Sequence, residues 1–408
     1  MKRLIVLALI FLPLLTACQK SLNVTVNNSL AIDRNHEMVE MSLIQIHEQL
    51  ALNEGESFIV ENIDGEEIPY QITHDQKVIF QADVKANGNT TFCIHKGKPQ
   101  AYATKACGRL YPERLDDLAW ENDLMGFRAY GPALQQRGDR AFGYDLFAKR
   151  GTDKPVLEEM YAKECDEKAW AEFRELKKKD PEAAEKMLKA ITYHSDRGNG
   201  MDCYAVGPTL GAGVAALLDG EEIVYPWCYK SCEILDNGPL RFSARLVFTP
   251  MKYKDTEVVE TRVITLDAGS HMNRTLIAYE GLKEETPIVS GIVLHQGSDV
   301  VAKDTQKGYI AYQDPTTGPD QGDLFLGHTY PKAIKDTRVV YFSDEEVKAR
   351  NNARGHVLAE STYVPDAEFV YYWGFGWNRS DIKDFKAWEA YMNDFAEKLK
   401  SPLMVSIN

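Results

Sequence analysis

Apolar and polar residues alternate along most of this chain in short runs separated by Gly, Asn, Asp and Pro. The runs NVTVNNSLAI, SFIVENI, EIPYQITH, KVIFQADV and TTFCIHKG open the series. GEEIVYPWCYKSCEIL, GPLRFSARLVFTPMKY, TEVVETRVITLD, MNRTLIAYEGL, TPIVSGIVLHQG, KGYIAYQD, RVVYFS, GHVLAESTYV and EFVYYWGFGW continue it. A period of two bounded by turn residues predicts strands. One insertion over 153–192 departs from it, with Leu157, Met160 and Tyr161 at helical spacing. A second helix is predicted at SDIKDFKAWEAYMNDFAEKLK. So many strands must bury one face of each sheet on another, which predicts an all-β fold. The expectation is a large antiparallel sandwich carrying a helical insertion and a C-terminal helix.

The alternation also assigns faces. In GPLRFSARLVF, Phe242, Ala244, Leu246 and Phe248 point one way, and Arg241, Ser243 and Arg245 the other. Glu260 and Arg262 share a face of the next strand. Mid-strand arginines usually meet solvent; on a large curved sheet they can instead line a polar trough that binds an anion. Aromatic residues crowd EFVYYWGFGWNRSD, where alternation sends about half into the core. Tyr372 and Trp377 are candidates for a sugar-facing rim. LAWENDLMGFRAYGP adds Trp120, Glu121, Asn122, Arg128 and Tyr130 in a segment of poor periodicity.

The N-terminus changes the picture from soluble domain to exported protein. MKRLIVLALIFLPLLTAC has Lys2 and Arg3, an apolar run too short to span a bilayer, and small residues before Cys18. Leu15–Cys18 resembles a bacterial lipoprotein box. Residues 1–17 are expected to be cleaved and Cys18 acylated. Residues 18–30 then form a polar tether and 31–408 the sandwich domain, its N-terminal strands over 31–110. The expected location is the outer membrane or periplasm, with membrane contact through the lipid alone. The six remaining cysteines permit disulfides, Cys93 with Cys107 and Cys228 with Cys232, or free thiols. No metal-binding spacing appears, so neither metal nor cofactor is expected. A net charge of −14 argues against nucleic acid as a partner.

The most unusual segment is YHSDRGNGMDCYAVGPTLGAG, which concentrates titrating side chains and glycines from Tyr193 to Gly213. Together with WENDLMGFRAYGPALQ, GPLRFSARLVF, ITLDAGSHMNRT, GIVLHQG and YYWGFGWNRSDIKDFKAWEAYM, it resembles a Bacteroidetes family, domain of unknown function 4861. The resemblance spans most of the chain beyond the signal. It implies a supersandwich like that of galactose-mutarotase-like and polysaccharide-lyase proteins, with the site on the concave sheet. It also implies a place in polysaccharide degradation and elimination on uronate-containing oligosaccharides, such as loss of water from a terminal uronate of ulvan.

Such an elimination needs cations or donors on the substrate carboxylate, where charge develops, and groups that move a proton. Arg245 and Arg262 are the expected clamps, with Lys230 and Asn122 as lesser ones. His194 is the expected general base or acid; Tyr193, Tyr204 and His295 are candidates for the second role. Asp196 and Asp202 are expected to orient them, and Trp120, Tyr372 and Trp377 to meet the sugar. Three other readings use the same residues. An exo-acting polysaccharide lyase would share the base and the clamp and release a sugar in place of water. A glycoside hydrolase would need paired carboxyls, from Glu121, Asp196 and Asp202. A non-catalytic sugar-binding lipoprotein would need the aromatics alone.

Overall fold

The structure, a computed structural model, describes residues 20–152, 154–332 and 334–407. The expected signal peptide and Cys18 lie outside these residues. Alternating sequence becomes antiparallel sheet throughout. The largest sheet runs in the order Tyr229–Asn237, Arg241–Phe248, Thr256–Asp267, Met272–Glu280, Phe369–Trp377, Leu324–Thr329, Tyr309–Asp314 and Val301–Asp304. Leu246 lies opposite Arg262, and Thr275 lies opposite both Ile264 and Tyr371. This register collects Phe242, Ala244, Leu246, Ile264, Tyr371, Trp373 and Phe375 on one buried face.

Two five-stranded sheets share that core. One is built from Glu222–Val224, Ala215–Asp219, Thr286–Leu294, Gly355–Tyr363 and Asp336–Tyr341. The other is built from Gly200–Asp202, Asp145–Lys149, Gly126–Ala129, Asp117–Glu121 and Cys107–Tyr111. Leu118, Trp120, Phe127, Leu217, Ile288 and Leu358 of these sheets pack in a single cluster with the large sheet's inner residues. The architecture is therefore a β-sandwich, as the alternation requires.

Helices cover the outside. Leu157–Glu164 lays Leu157, Met160 and Tyr161 on Phe147 and Ala119, the outer face of the second five-stranded sheet. Glu167–Lys179 and Pro181–Ile191 follow it. The C-terminal helix Phe385–Lys400 seats Trp388 and Met392 against Met272, Tyr309 and Phe325 on the outside of the large sheet.

The expected tether gives way to structure from Ser21 onward. Ser21–Asn27 is a strand between Asn89–Lys96 and Met404–Ile407, and Val24 and Val26 are fully buried. A sheet of Arg34–Ser42, Lys77–Val84 and Tyr70–Ile72 packs on it, so the N-terminal strands enclose a core of their own. This small sandwich includes residues 404–407 and its last N-terminal strand ends at Lys96, rather than running over 31–110 within one supersandwich. Gln71 binds the Leu240 and Arg241 backbone N–H groups, and Arg241 pairs with Glu40, which holds the two sandwiches together. The six cysteines from Cys93 to Cys232 are all free thiols.

Candidate functional site

The segment from Tyr193 forms where the insertion returns to the sheet. The Pro181–Ile191 helix ends in extended Thr192, and the Tyr193 N–H donates to Glu164 Oε2 at 3.0 Å. Asp196 then closes the loop: its Oδ1 accepts the N–H groups of Gly198 and Gly200, and its Oδ2 pairs with Arg150 at 2.6 Å. Gly200 lets the chain rejoin the sheet. Its φ is +123°, and a Cβ there would lie 2.1 Å from the Ala148 carbonyl.

The outcome is one exposed imidazole on a buried charged base. His194 has a side chain 57% exposed, with Nδ1 3.1 Å from the Asp202 carbonyl and 3.7 Å from Asp202 Oδ2. Its anchoring contacts engage Nδ1 and leave Nε2 for solvent. A base turned by a third group in this way is the geometry of an oriented proton carrier.

Beneath it, Arg128 is held by three carboxylates. Its guanidinium pairs with Asp145 and with Asp202 at 2.8 Å, and stands 3.6 Å from Asp117. Its Nη1 donates to the Tyr193 hydroxyl at 2.8 Å, and Arg114 Nε donates to the same oxygen at 3.3 Å. Tyr130 donates to Asp145, and Tyr161 to Asp117 at 3.2 Å. Burial pushes Asp117 and Asp202 up to about 6; the charge of Asp145 adds to this, and Arg128 opposes it. Burial likewise raises the Tyr193 phenol, with Arg128 and Arg114 opposing. Among the described residues, no carboxylate lies within 4.0 Å of Arg114, which makes it a half-buried cation without an ion pair.

Sequence reasoning named His194, Tyr193 and Asp202, and the structure brings them together. It singled out Arg128 and Tyr130 only as part of a polar-aromatic cluster of poor periodicity, and it missed Arg114, Asp145 and Asp117. That the insertion covers this cluster was not visible.

Most other candidates belong to the scaffold. Arg245 and Arg262 lie on opposite faces, because their positions are one register step apart across neighbouring strands. Arg245 is outward, paired with Glu233 at 2.6 Å. Arg262 is buried, bonded to Glu260, to the Tyr144 hydroxyl and to the Ala215 carbonyl. The expected arginine trough is not formed, since that face of the sheet is the core. Lys230 is exposed on the bulge of the sandwich's edge strand. Asn122 binds the Asp267 and Ser270 carbonyls and the Leu124 and Met125 N–H groups, all as backbone ties. Trp120 and Trp377 are buried, donating to Asn273 and to the Gln321 carbonyl. Tyr372 packs edge-on to Phe395 of the C-terminal helix. Tyr193 itself is 1% exposed, so its hydroxyl braces the guanidiniums rather than meeting a substrate.

Tyr204 and His295 do come together, with ring centroids 5.5 Å apart; Tyr204 belongs to the core, while His295 sits at its edge with a side chain 16% exposed. His295 Nδ1 lies 2.6 Å from buried Asp314, and its ring also binds the Ala205 carbonyl. Asp314 and this bond raise its pKa against the effect of burial. Its ring is thus tied into the fold by Asp314 and the Ala205 carbonyl. The glycine-rich half of the loop also serves the core. Gly211 has φ +56°, Leu210 N–H donates to His356 Nε2 at 3.1 Å, and the Gly213 carbonyl accepts from Tyr371. The expected close approach to a ligand is an approach to the protein's own side chains.

Among the described residues, no group of three or more His, Cys, Asp or Glu side chains is placed to hold a metal ion.

The fold has a counterpart in a protein in the glycosyl hydrolase family 38 from Enterococcus faecalis, with a TM-score of 0.50 and 7% identity. The match covers 96% of this chain and 48% of the other, so this chain spans about half of that protein. At that identity the likeness concerns the fold alone. A protein of Formosa agariphila named "Uncharacterized protein P7" is 28% identical over 405 residues, 94% of this chain and 93% of its own length. The family model for the domain of unknown function DUF4861 matches residues 26–405, and the chain belongs to that family.

Proposed function

We propose that this chain is a carbon–oxygen lyase acting on uronate-containing oligosaccharides, removing water from a saturated terminal uronate, with His194 as the group that moves the proton. The observation that carries the reading is the exposed His194 imidazole on its Asp202 anchor, with Arg114 in contact with the same neighbouring side chain, Tyr193. His194 presents Nε2 to solvent on an Asp202 anchor. Across the Tyr193 ring, whose centroid is 4.8 Å from that of His194, Arg114 supplies a cation with no carboxylate of its own. Arg114 takes the place expected of Arg245 and Arg262. His194 withdraws the C5 proton, Arg114 steadies the charge that develops on the adjoining carboxylate, and the C4–O bond breaks as C4=C5 forms. The C5 proton and the C4 hydroxyl leave together as one water.

A hydrolase reading is less well supported. Glu121 is buried on Lys149, Asp202 is buried on Arg128, and Asp196 is spent on its own loop. The sequence of residues 1–18 supports export and lipid anchoring at Cys18.

The test is incubation of the chain with saturated uronate-terminated oligosaccharides, following the ultraviolet absorbance of the new conjugated alkene and the loss of one water by mass spectrometry. His194→Ala should lower turnover by at least about 10²-fold, with the melting temperature nearly unchanged because the side chain is exposed. Retained turnover in that variant removes His194 from the mechanism, and absence of the alkene removes the lyase.

A further inference from the structure

The sandwich is open along one edge, where residues 225–228 cross from the Glu222–Val224 strand of one sheet to the Tyr229–Asn237 edge strand of another. Between this crossing and the loop before Asp145 lies a narrow cleft lined by Tyr130, Phe142, Tyr144, Trp227 and Phe248, with buried Arg262 closing its base. Tyr130, Tyr144 and Arg262 are held by hydrogen bonds to Asp145, Arg262 and Glu260. Trp227 differs from them. It is 42% exposed, and among the described residues its indole stacks on no other ring.

The surroundings of Trp227 are rigid. Pro226 fixes the backbone immediately before it. Tyr225 is held between Phe142, at a centroid distance of 5.2 Å, and Arg350, whose guanidinium lies 5.1 Å from the Tyr225 ring. A flat indole left bare on a fixed lip, beside a cleft too narrow for a whole ring, suits a ligand with apolar C–H faces and polar edge groups. The loop that supplies Phe142 also carries Arg137, Asp139 and Arg140, all exposed, and among the described residues neither arginine has a carboxylate within 4.0 Å. The loop's net positive charge favours an acidic ligand.

We propose that Trp227 is the stacking platform of a carbohydrate subsite that takes one pyranose ring of an acidic glycan across the lip of this cleft. An exocyclic group of that sugar enters the cleft, and Arg140 faces its charge. The subsite is independent of His194 and would bind whether or not the chain is a lyase.

The test measures binding of tetragalacturonate and of a hyaluronan tetrasaccharide, by tryptophan fluorescence and calorimetry, to the full chain and its variants. Trp227→Ala should weaken binding by about tenfold or more with an unchanged circular dichroism spectrum, and Trp227→Phe should stay within about threefold of the parent. His194→Ala should bind as the parent does, which separates this site from the proposed chemistry. Methyl-esterified tetragalacturonate should bind more weakly to the parent, and Arg140→Ala should close that gap. The proposal is overturned if Trp227→Ala binds like the parent, or if neither tetramer binds the parent.

Discussion

Around Arg128, three buried carboxylates share one guanidinium, with Arg114 the next cation. Asp145 and Asp202 bond to Arg128 directly, while Asp117 stands 3.6 Å away and has an oxygen, Oδ1, with no partner. A carboxylate in that position is short of compensation, which is why burial lifts Asp117 from 3.8 to about 6. The folded chain therefore binds this proton more tightly than the unfolded chain does. The stability associated with it is present below about pH 4 and is lost as pH rises through about 6. Asp117→Asn mimics the protonated form at every pH. The melting temperature of the variant minus that of the parent should therefore climb between pH 4 and pH 7, by the equivalent of at most ~3 kcal/mol. A flat difference would show that Asp117 is ionised and satisfied throughout. The turnover proposed for His194, which lies three contacts from Asp117 through Arg128 and Asp202, should be unchanged in this variant if Asp117 is purely a brace.

The insertion shows how one element is fixed by another. Val156 precedes the Leu157–Glu164 helix and offers no side-chain cap. The cap comes instead from Glu121 on a sheet strand, whose carboxylate accepts the N–H groups of Val156 and Leu157 at 2.8–2.9 Å and pairs with Lys149 at 2.7 Å. Anionic oxygen at a helix start is favourable, and here it also neutralises a fully buried ammonium. Glu121→Gln keeps the shape and removes the charge. It should destabilise the chain by about 3–5 kcal/mol, because Lys149 is left buried without its counter-ion. Hydrogen exchange should show the first turn of this helix losing protection before the strands do; uniform loss would mean that the insertion and sheet open together. At this scale the sequence was legible where information is local. Leu157, Met160 and Tyr161 show a helix, and Phe242, Ala244, Leu246 and Phe248 show a strand face. What they touch depends on partners far along the chain. Alternation marked NVTVNNSLAI as strand, yet residues 18–30 were also expected to be tether, because half of the neighbours of Ser21–Asn27, Met404–Ile407, come from the other end. Arg245 and Arg262 looked like a pair because register, which sets their faces apart, is not written in either strand.

For the molecule as a whole, two buried histidines tie the stability of the sandwich core to pH. His328 and His356 are fully buried between the sheets, and burial lowers them to about 4 and about 3, with Arg350 and His295 adding to the effect at His356. Each serves the interior as a neutral ring. His328 lies 2.7 Å from the Ser290 hydroxyl and 3.1 Å from the Ala212 carbonyl, while His356 accepts from the Leu210 N–H. Both pin the glycine-rich segment into the core, which explains why the loop that resembled a ligand cradle in sequence is packed as scaffold. The sign of the pH effect is opposite to that of Asp117. Below the ordinary histidine value of 6.5 the unfolded chain takes up protons that the folded core refuses, so stability is lost as pH falls from about 6.5 towards 3–4. The two lowered histidines span a wider window than the raised Asp117 and Asp202, so the net limb should fall on acidification. His356→Gln retains an acceptor for Leu210 and cannot be protonated. It should be less stable than the parent near neutrality, through lost packing against Phe342, whose ring centroid is 5.0 Å away. Its unfolding free energy, from urea titrations at a series of pH values, should nevertheless decline less between pH 6.5 and pH 4. If the two slopes coincide, His356 is not the neutral buried group described, and the acid limb must arise from carboxylates elsewhere in the fold.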